Sequence, residues 1–461
     1  MTTKFLIFAL IIFFSNIFGQ EITGSWQGEL DVQGNKLPLI IHIEKDINGY
    51  KSNFDSPLQG AKGIPFQKTV FENNVLTLDA SNLGIIYTGK YGNDKIDGTF
   101  SQSGMNLPLV MIKKKGEETV INRPQTPKPP FNYDIEDVRF ENATDKNILA
   151  GTISQPKNFD KNAPILVMIT GSGAQNRDEE LFGHKPFAVI ADDFAKKGIA
   201  TLRMDDRGTG LSSKGKETDT SENFATDINS AVEFLKGKGY KNIGLIGHSE
   251  GGMIAPIVAD KNKNVKFLVL LAAPGIPTSD LLQKQSYDIG KSSGASETAL
   301  ETNKAVNQKI YEFVKNYNGN NLKTDLKPIL ISEFKKFPKG EIPAEQIETV
   351  AEKQASQISN PWFQYFIKFN PGVYLSKIKI PVLAINGSLD LQVSAKENLA
   401  GIKKSLEKAG NKNFELIEFE GLNHLFQTAK TGNPAGYGQI EETISPKVLQ
   451  KMKSWILQNK F

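Results

Sequence analysis

The sequence predicts an α/β fold. A mostly parallel sheet is covered by helices on both faces, carries a helical insertion, and is preceded by a small all-β domain. Three observations predict it. Beyond residue 134, apolar runs such as Pro164-Ile-Leu-Val-Met-Ile169 and Phe267-Leu-Val-Leu-Leu-Ala272 alternate with helix-length segments, the pattern of strands buried on both faces. Before residue 115 the segments are short and alternating, with Gly, Asn and Asp recurring roughly every ten positions, which marks an antiparallel sandwich or barrel. Between these regimes lies a stretch of 18 residues, 116–133, with Pro124, Pro127, Pro129 and Pro130, a stiff linker by composition.

Taken in order, the chain begins with a pattern expected of a secretory signal at residues 1–19. Lys4 precedes an apolar run from Phe5 to Phe14, and Gly19 offers a small residue for cleavage. The run is short for a membrane span, which needs about 20 residues. An exported protein, periplasmic or extracellular, is therefore expected, with no stable membrane insertion after cleavage.

Residues 20–115 form the all-β unit. Gly24-Ser-Trp26-Gln-Gly28 resembles the G-x-W-x-G at the start of lipocalin-type barrels. A Trp26 that plugs one end of a small β-core is favoured over a ligand pocket. Residues 134–461 form the α/β unit. Its first two strands, around Val138-Arg-Phe140 and residues 149–153, read as a hairpin. Between about residues 275 and 379 the strand–helix alternation stops and the chain becomes polar, Lys-rich and helix-compatible. An insertion here lies over the strand ends where α/β folds bind ligands, so it reads as a lid. Trp362, Tyr365 and Phe366 are the candidates for its substrate-facing underside.

Composition narrows the function. At 461 residues, with 39% hydrophobic and 23% charged residues, the chain holds more than one folded unit. The net charge of +4 is spread without a Lys/Arg block, which argues against a nucleic-acid partner. The absence of cysteine excludes disulfides and thiolate metal sites. Four histidines with no close pair argue against zinc.

The chemistry centres on Ile243-Gly-Leu-Ile-Gly-His-Ser-Glu-Gly-Gly-Met253. It places G-x-S-x-G between an apolar strand and a helix, where a strained turn lifts a serine hydroxyl above the sheet. Gly290-Lys-Ser292-Ser-Gly294 also matches G-x-S-x-G. It lacks a preceding apolar strand and reads as a flexible loop. A serine needs a base, and the base needs an orienting acid. Asp390 follows the strand-like Val382-Leu-Ala-Ile385, and His424 follows Phe414-Glu-Leu-Ile-Glu-Phe419. Ser249, Asp390 and His424 are therefore the candidate triad, in the chain order of an α/β-hydrolase. His184 is the rival base. His248 is expected to point away from Ser249. The oxyanion hole needs two backbone N–H groups: that of Glu250 beside the serine, and one from Thr170-Gly171-Ser172-Gly173, with Ser172 favoured. Arg177, Asp178, Asp205 and Arg207 read as braces of neighbouring loops.

Segments around Gly171-Ser-Gly173, Arg203-Met-Asp-Asp-Arg-Gly208, Gly247-His-Ser-Glu-Gly-Gly252, Asn386-Gly-Ser-Leu-Asp390 and Gly421-Leu-Asn-His424 resemble those of bacterial α/β-hydrolases close to the EstD-type carboxylesterases, across residues 134–461. The resemblance implies an α/β-hydrolase fold and the same triad. It also implies hydrolysis of small-molecule, short-acyl esters without a cofactor. Two other readings compete. A serine peptidase or aminopeptidase on the same fold would use Glu250 and lid acids to bind a substrate amine. A lipid- or glycan-binding module would carry a vestigial hydrolase.

Overall fold

The computed structural model describes residues 22–32, 35–47, 49–56, 61–102, 105–114, 122–338 and 342–459. The predicted signal segment lies outside them. Nine strands form the first unit: β1 (Gly24–Val32), β2 (Asn35–Asp46), β3 (Gly49–Ser56), β4 (Ala61–Pro65), β5 (Lys68–Glu72), β6 (Val75–Ala80), β7 (Ile85–Gly92), β8 (Lys95–Gln102) and β9 (Met105–Lys113). They pair antiparallel in the order β4-β3-β2-β1-β9-β8-β7-β6-β5. The Ser52 hydroxyl of β3 meets that of Thr69 in β5 at 2.7 Å, so the two ends of the sheet approach each other and the unit curls into a barrel. Residues alternate inward and outward along β7, as a half-buried strand requires. Trp26 is fully buried in this core. Its indole N–H donates to the Ile22 carbonyl at 2.8 Å and its ring meets Tyr91 edge-on, the plug expected from the sequence.

The second unit is an eight-stranded sheet in the order β10-β11-β13-β12-β14-β15-β16-β17. Its strands are β10 (Asp134–Glu141), β11 (Ile148–Gln155), β12 (Pro164–Ile169), β13 (Ala200–Met204), β14 (Asn242–His248), β15 (Val265–Leu271), β16 (Val382–Gly387) and β17 (Phe414–Phe419). The β10–β11 hairpin is antiparallel and β13 through β17 run parallel. The helices packed on the sheet are α1 (Pro186–Ala195), α2 (Ser221–Gly237) and α3 (Glu250–Lys261), with α10 (Ala395–Lys408) and α11 (Pro446–Gln458) following the insertion. Strand β12 shows why the run is continuously apolar. Ile165, Val167 and Ile169 enter the core beneath α2 and α3, while Leu166 and Met168 enter the opposite core beneath α1 and α11.

Strand order reverses between β12 and β14: β12 is followed in sequence by β13 on one side and β14 lies on the other. Ligands of open α/β sheets bind at such a point. Over it sits the insertion, helices α4 (Thr278–Ser292), α5 (Glu297–Asn316), α6 (Leu322–Phe334), α7 (Ile347–Ile358), α8 (Pro361–Lys368) and α9 (Gly372–Leu375). The longer of these helices share a core of their own, including Ile310, Leu326, Ala355 and Ile367. The second G-x-S-x-G is not the loop that its Gly and Ser content suggested. Residues through Ser292 complete α4, and its hydroxyl bonds the Ile289 carbonyl. No helix among the described residues is long and apolar enough to cross a membrane.

Candidate active site

Ser249 stands between β14 and α3 with φ 51° and ψ −117°, a backbone region that costs a non-glycine residue energy and clusters at functional sites. The glycines around it are steric necessities. A Cβ on Gly247 would collide with the Gly251 carbonyl, and one on Gly251 with the Ile169 carbonyl of β12. The turn is pinned where the Ser249 N–H donates to the Leu271 carbonyl at 2.9 Å.

His424 and Asp390 arrive from loops beyond β17 and β16. His424 Nδ1 lies 2.8 Å from Asp390 Oδ2, and both residues are buried. The other carboxylate oxygen accepts the backbone N–H groups of Gln392 and Val393, each at 2.8 Å. Asp390 is thus fixed before it fixes the histidine. Ser249 and His424 line one cavity of about 430 Å³, together with Ser172, Glu250, Trp362 and Phe366. The structure brings all of these predicted residues together.

Tyr365 is the exception. Its ring packs against Phe369, centroids 5.7 Å apart, and it borders the sheet core. Phe363 lines the cavity instead. Asn360 caps α8 through the Trp362 N–H, and Pro361 occupies its first turn. That start fixes the helix phase, and Trp362 stacks on Phe366 one turn later.

The loop that follows β12, beside Ser249, is strapped at several points. Asp206 accepts from the Thr170 hydroxyl at 2.8 Å and the Gln175 N–H at 2.9 Å. Burial pushes its carboxyl up to about 7. Glu179 accepts the Gly171 N–H at 2.7 Å. An ideal Cβ on Gly171 would lie 3.4 Å from the Ser249 Cβ, so this loop faces the serine. Glu250 begins α3, where the first backbone N–H groups have no intrahelical acceptor. Its carboxylate accepts from the Ser221 hydroxyl at 2.6 Å and the Trp362 indole at 2.8 Å; burial raises its pKa.

The partners of His248 are Glu179 and the His424 carbonyl. His248 lines the same cavity, its ring centroid 4.8 Å from that of His424. Nδ1 lies 2.9 Å from Glu179 Oε1, and Nε2 lies 3.1 Å from the His424 carbonyl oxygen. Both nitrogens face acceptors, an arrangement that favours the protonated ring. Burial works against the charged form, but Glu179, the His424 carbonyl and Asp390 together raise the pKa. Neither Glu179 nor this role of His248 was legible from motif spacing. His184, the rival base, is buried with Nδ1 2.9 Å from the Thr443 hydroxyl and Nε2 3.2 Å from the Tyr437 carbonyl. Burial, aided by Arg123, lowers its pKa to about 4. His42 sits in the barrel between Ser25 and Asp55.

The bracing residues behave as expected. Arg177 grips Asp205 through Nε at 3.0 Å and Nη2 at 2.6 Å, Arg203 pairs with Asp178, and Arg207 reaches Asp145, Asp219 and Asp227. Among the described residues no group of three His, Asp or Glu side chains is placed to hold a metal ion.

The α/β hydrolase fold family matches residues 164–427, more than half of the chain. The esterase EstD of Thermotoga maritima is 25% identical over 358 residues, 76% of either chain. That is a longer stretch than residues 134–461 provide, so the similarity runs beyond the α/β unit. Among solved structures, an esterase of Pyrococcus furiosus covers 73% of this chain and 96% of its own length, at 17% identity and a TM-score of 0.41. Est1E of Butyrivibrio proteoclasticus, bound to ferulic acid, covers 69% and 98%, at 19% identity and a TM-score of 0.40.

Proposed function

We propose that this chain, which belongs to the α/β hydrolase fold family, is a serine hydrolase that cleaves carboxylic esters with short acyl groups through an acyl-enzyme. One observation carries the reading. His424, buried with Nδ1 2.8 Å from Asp390 Oδ2, shares a cavity with a serine held at φ 51° on a strand-to-helix turn. The similarity to the esterase EstD supports the ester as the bond cleaved.

With Nδ1 committed to Asp390, Nε2 of His424 is the nitrogen left for the proton of Ser249. Ser249 Oγ attacks the ester carbonyl carbon as its proton passes to Nε2. The C=O π pair moves to oxygen, and the backbone N–H groups of Glu250 and Ser172 hold the resulting oxyanion. Collapse expels the alcohol oxygen, which takes the proton from His424. Water then repeats the sequence on the acyl-enzyme, with His424 as base, and releases the acid and Ser249.

The peptidase reading needs Glu250 to bind a substrate amine, but Ser221 and Trp362 already engage that carboxylate. Export to the periplasm or beyond rests on the Lys4 and Phe5-to-Phe14 pattern. N-terminal sequencing of the secreted protein would find a start near Gln20; a start at Met1 would contradict export by cleavage.

The test is hydrolysis of p-nitrophenyl acetate, butyrate and octanoate beside Ser249→Ala. Loss of kcat by about 10⁴-fold or more in the variant is expected. Equal turnover by both proteins would remove Ser249 from the chemistry.

A further inference from the structure

We propose that a second cavity, of about 470 Å³ beside the loop of residues 170–174, receives the acyl part of the ester and selects an uncharged, apolar acyl group. This rests on the esterase reading and specifies its substrate. The cavity lies between the ends of β11 and β13 and helices α2 and α3, with Leu149, Met204, Phe224, Ile228 and Ile254 in its lining. It is within the size range of small-molecule sites. Gly171, Ser172, Glu250 and Trp362 line both this cavity and the one holding Ser249 and His424. The two cavities adjoin along these residues.

The chemistry assigns the two cavities to the two arms of the substrate. His424 hands its proton to the leaving alcohol oxygen, so the alcohol arm lies on the His424 side, in the first cavity. The carbonyl oxygen points at the N–H groups of Ser172 and Glu250, which line both cavities. The acyl arm is the remaining substituent of the tetrahedral carbon. It extends away from the base, past Trp362, into the second cavity, which lacks both Ser249 and His424 among its lining residues.

The lining sets the chemical class. Each methylene buried against Met204, Ile228 and Ile254 gains the transfer free energy of apolar burial. The polar part of the lining is acidic: Asp206 and Glu250 face this space without a cationic side chain bonded to them, whereas Asp205 and Asp227 are paired with Arg177 and Arg207. A carboxylate-bearing acyl group entering here would lose its hydration with no free cationic side chain among the lining residues to pair with it, since Arg207 is engaged by Asp145, Asp219 and Asp227.

The test compares kcat/KM for p-nitrophenyl octanoate and acetate within each protein, so the ratio is independent of the folded fraction. Ile228→Phe, which fills the second cavity, is expected to lower the octanoate-to-acetate ratio about tenfold or more. Met204→Ala, which enlarges it, is expected to raise the ratio, and covers the case in which Ile228→Phe fails to fold. Leu282→Phe, in the first cavity, is expected to shift the preference between ethyl and naphthyl butyrate and to leave the acyl ratio within twofold. An acyl ratio unmoved by both second-cavity variants, or moved by Leu282→Phe instead, overturns the acyl assignment while ester turnover persists. No ester turnover by the unaltered protein overturns the esterase reading itself, and the acyl pocket with it.

Discussion

Glu179 Oε1 accepts the Gly171 N–H at 2.7 Å and, on the same oxygen, faces His248 Nδ1 at 2.9 Å. His248 in turn reaches the His424 carbonyl through Nε2. One buried carboxylate therefore spans the loop beside Ser249 and the backbone of the candidate base. Glu179 holds φ 52° to do so. Its removal frees the Gly171 N–H and leaves His248 Nδ1 without its carboxylate partner. Glu179→Ala is expected to lower kcat by about 10- to 100-fold, less than the loss of a whole oxyanion donor, with KM within about twofold. Glu179→Gln, which keeps an acceptor for Gly171, should recover part of it. A pure KM effect, or equal losses in both variants, would show that Glu179 only stabilises the fold.

Asp390→Asn tests the second link of the triad. The carboxylate receives two backbone N–H groups on one oxygen and faces His424 Nδ1 with the other. An amide can satisfy the same shape while presenting an N–H to Nδ1. That inverts the imidazole tautomer and leaves Nε2 protonated when it should accept. A fall in kcat of about 10³- to 10⁴-fold is expected, with KM little changed. Rates within tenfold of the parent would remove Asp390 from the triad.

Ser249, Asp390 and His424 were legible as candidates because each follows an apolar strand through a short polar turn, and the order of the three is a chain-level property. The braces at Arg177, Asp205 and Arg207 were legible as charged turns. Glu179 was not, because beside the bracing pair Arg177-Asp178 nothing marks it out until β12 and β14 bring it to Gly171 and His248. Nor did the sequence separate Tyr365 from Phe363. Four aromatics within five positions are equivalent until Asn360 and Pro361 set where α8 begins, and only the helix phase then turns Trp362, Phe363 and Phe366 inward. The barrel was legible as a class from its alternation, but closure depends on β3 meeting β5, a contact with no local signature.

Trp362 ties the insertion to the residue after Ser249 by its indole N–H on Glu250 Oε1. Trp362→Phe keeps the ring against Phe366 but leaves a buried carboxylate one donor short. A hydrogen bond of this kind contributes about 0.5–1.5 kcal/mol, more where the acceptor is charged. The substitution should loosen α8, so that limited proteolysis cuts within residues 275–379 faster than in the parent. Digestion at parental rates, with an unchanged melting temperature, would deny the tie any role in holding the insertion closed.

His184 makes the stability of the α/β unit depend on acidity. It is buried, held by Thr443 and the Tyr437 carbonyl, and its pKa lies near 4 through burial and the nearby Arg123. The ordinary value is 6.5, so the unfolded chain binds this proton more readily than the folded one. The stability held by neutral His184 is therefore present in full above pH 6.5. It is lost as the pH falls toward 4, by roughly 3 kcal/mol over that window. Asp206, raised to about 7 by burial, acts in the opposite sense, since protonating it favours the folded state as the pH falls. Comparing the parent with His184→Gln cancels Asp206 and isolates the histidine. The stability difference between the two, read from denaturant unfolding, should shrink by roughly 3 kcal/mol between pH 7 and pH 4. Parallel curves across that range would mean that His184 titrates alike in both states, and that its burial does not govern its charge.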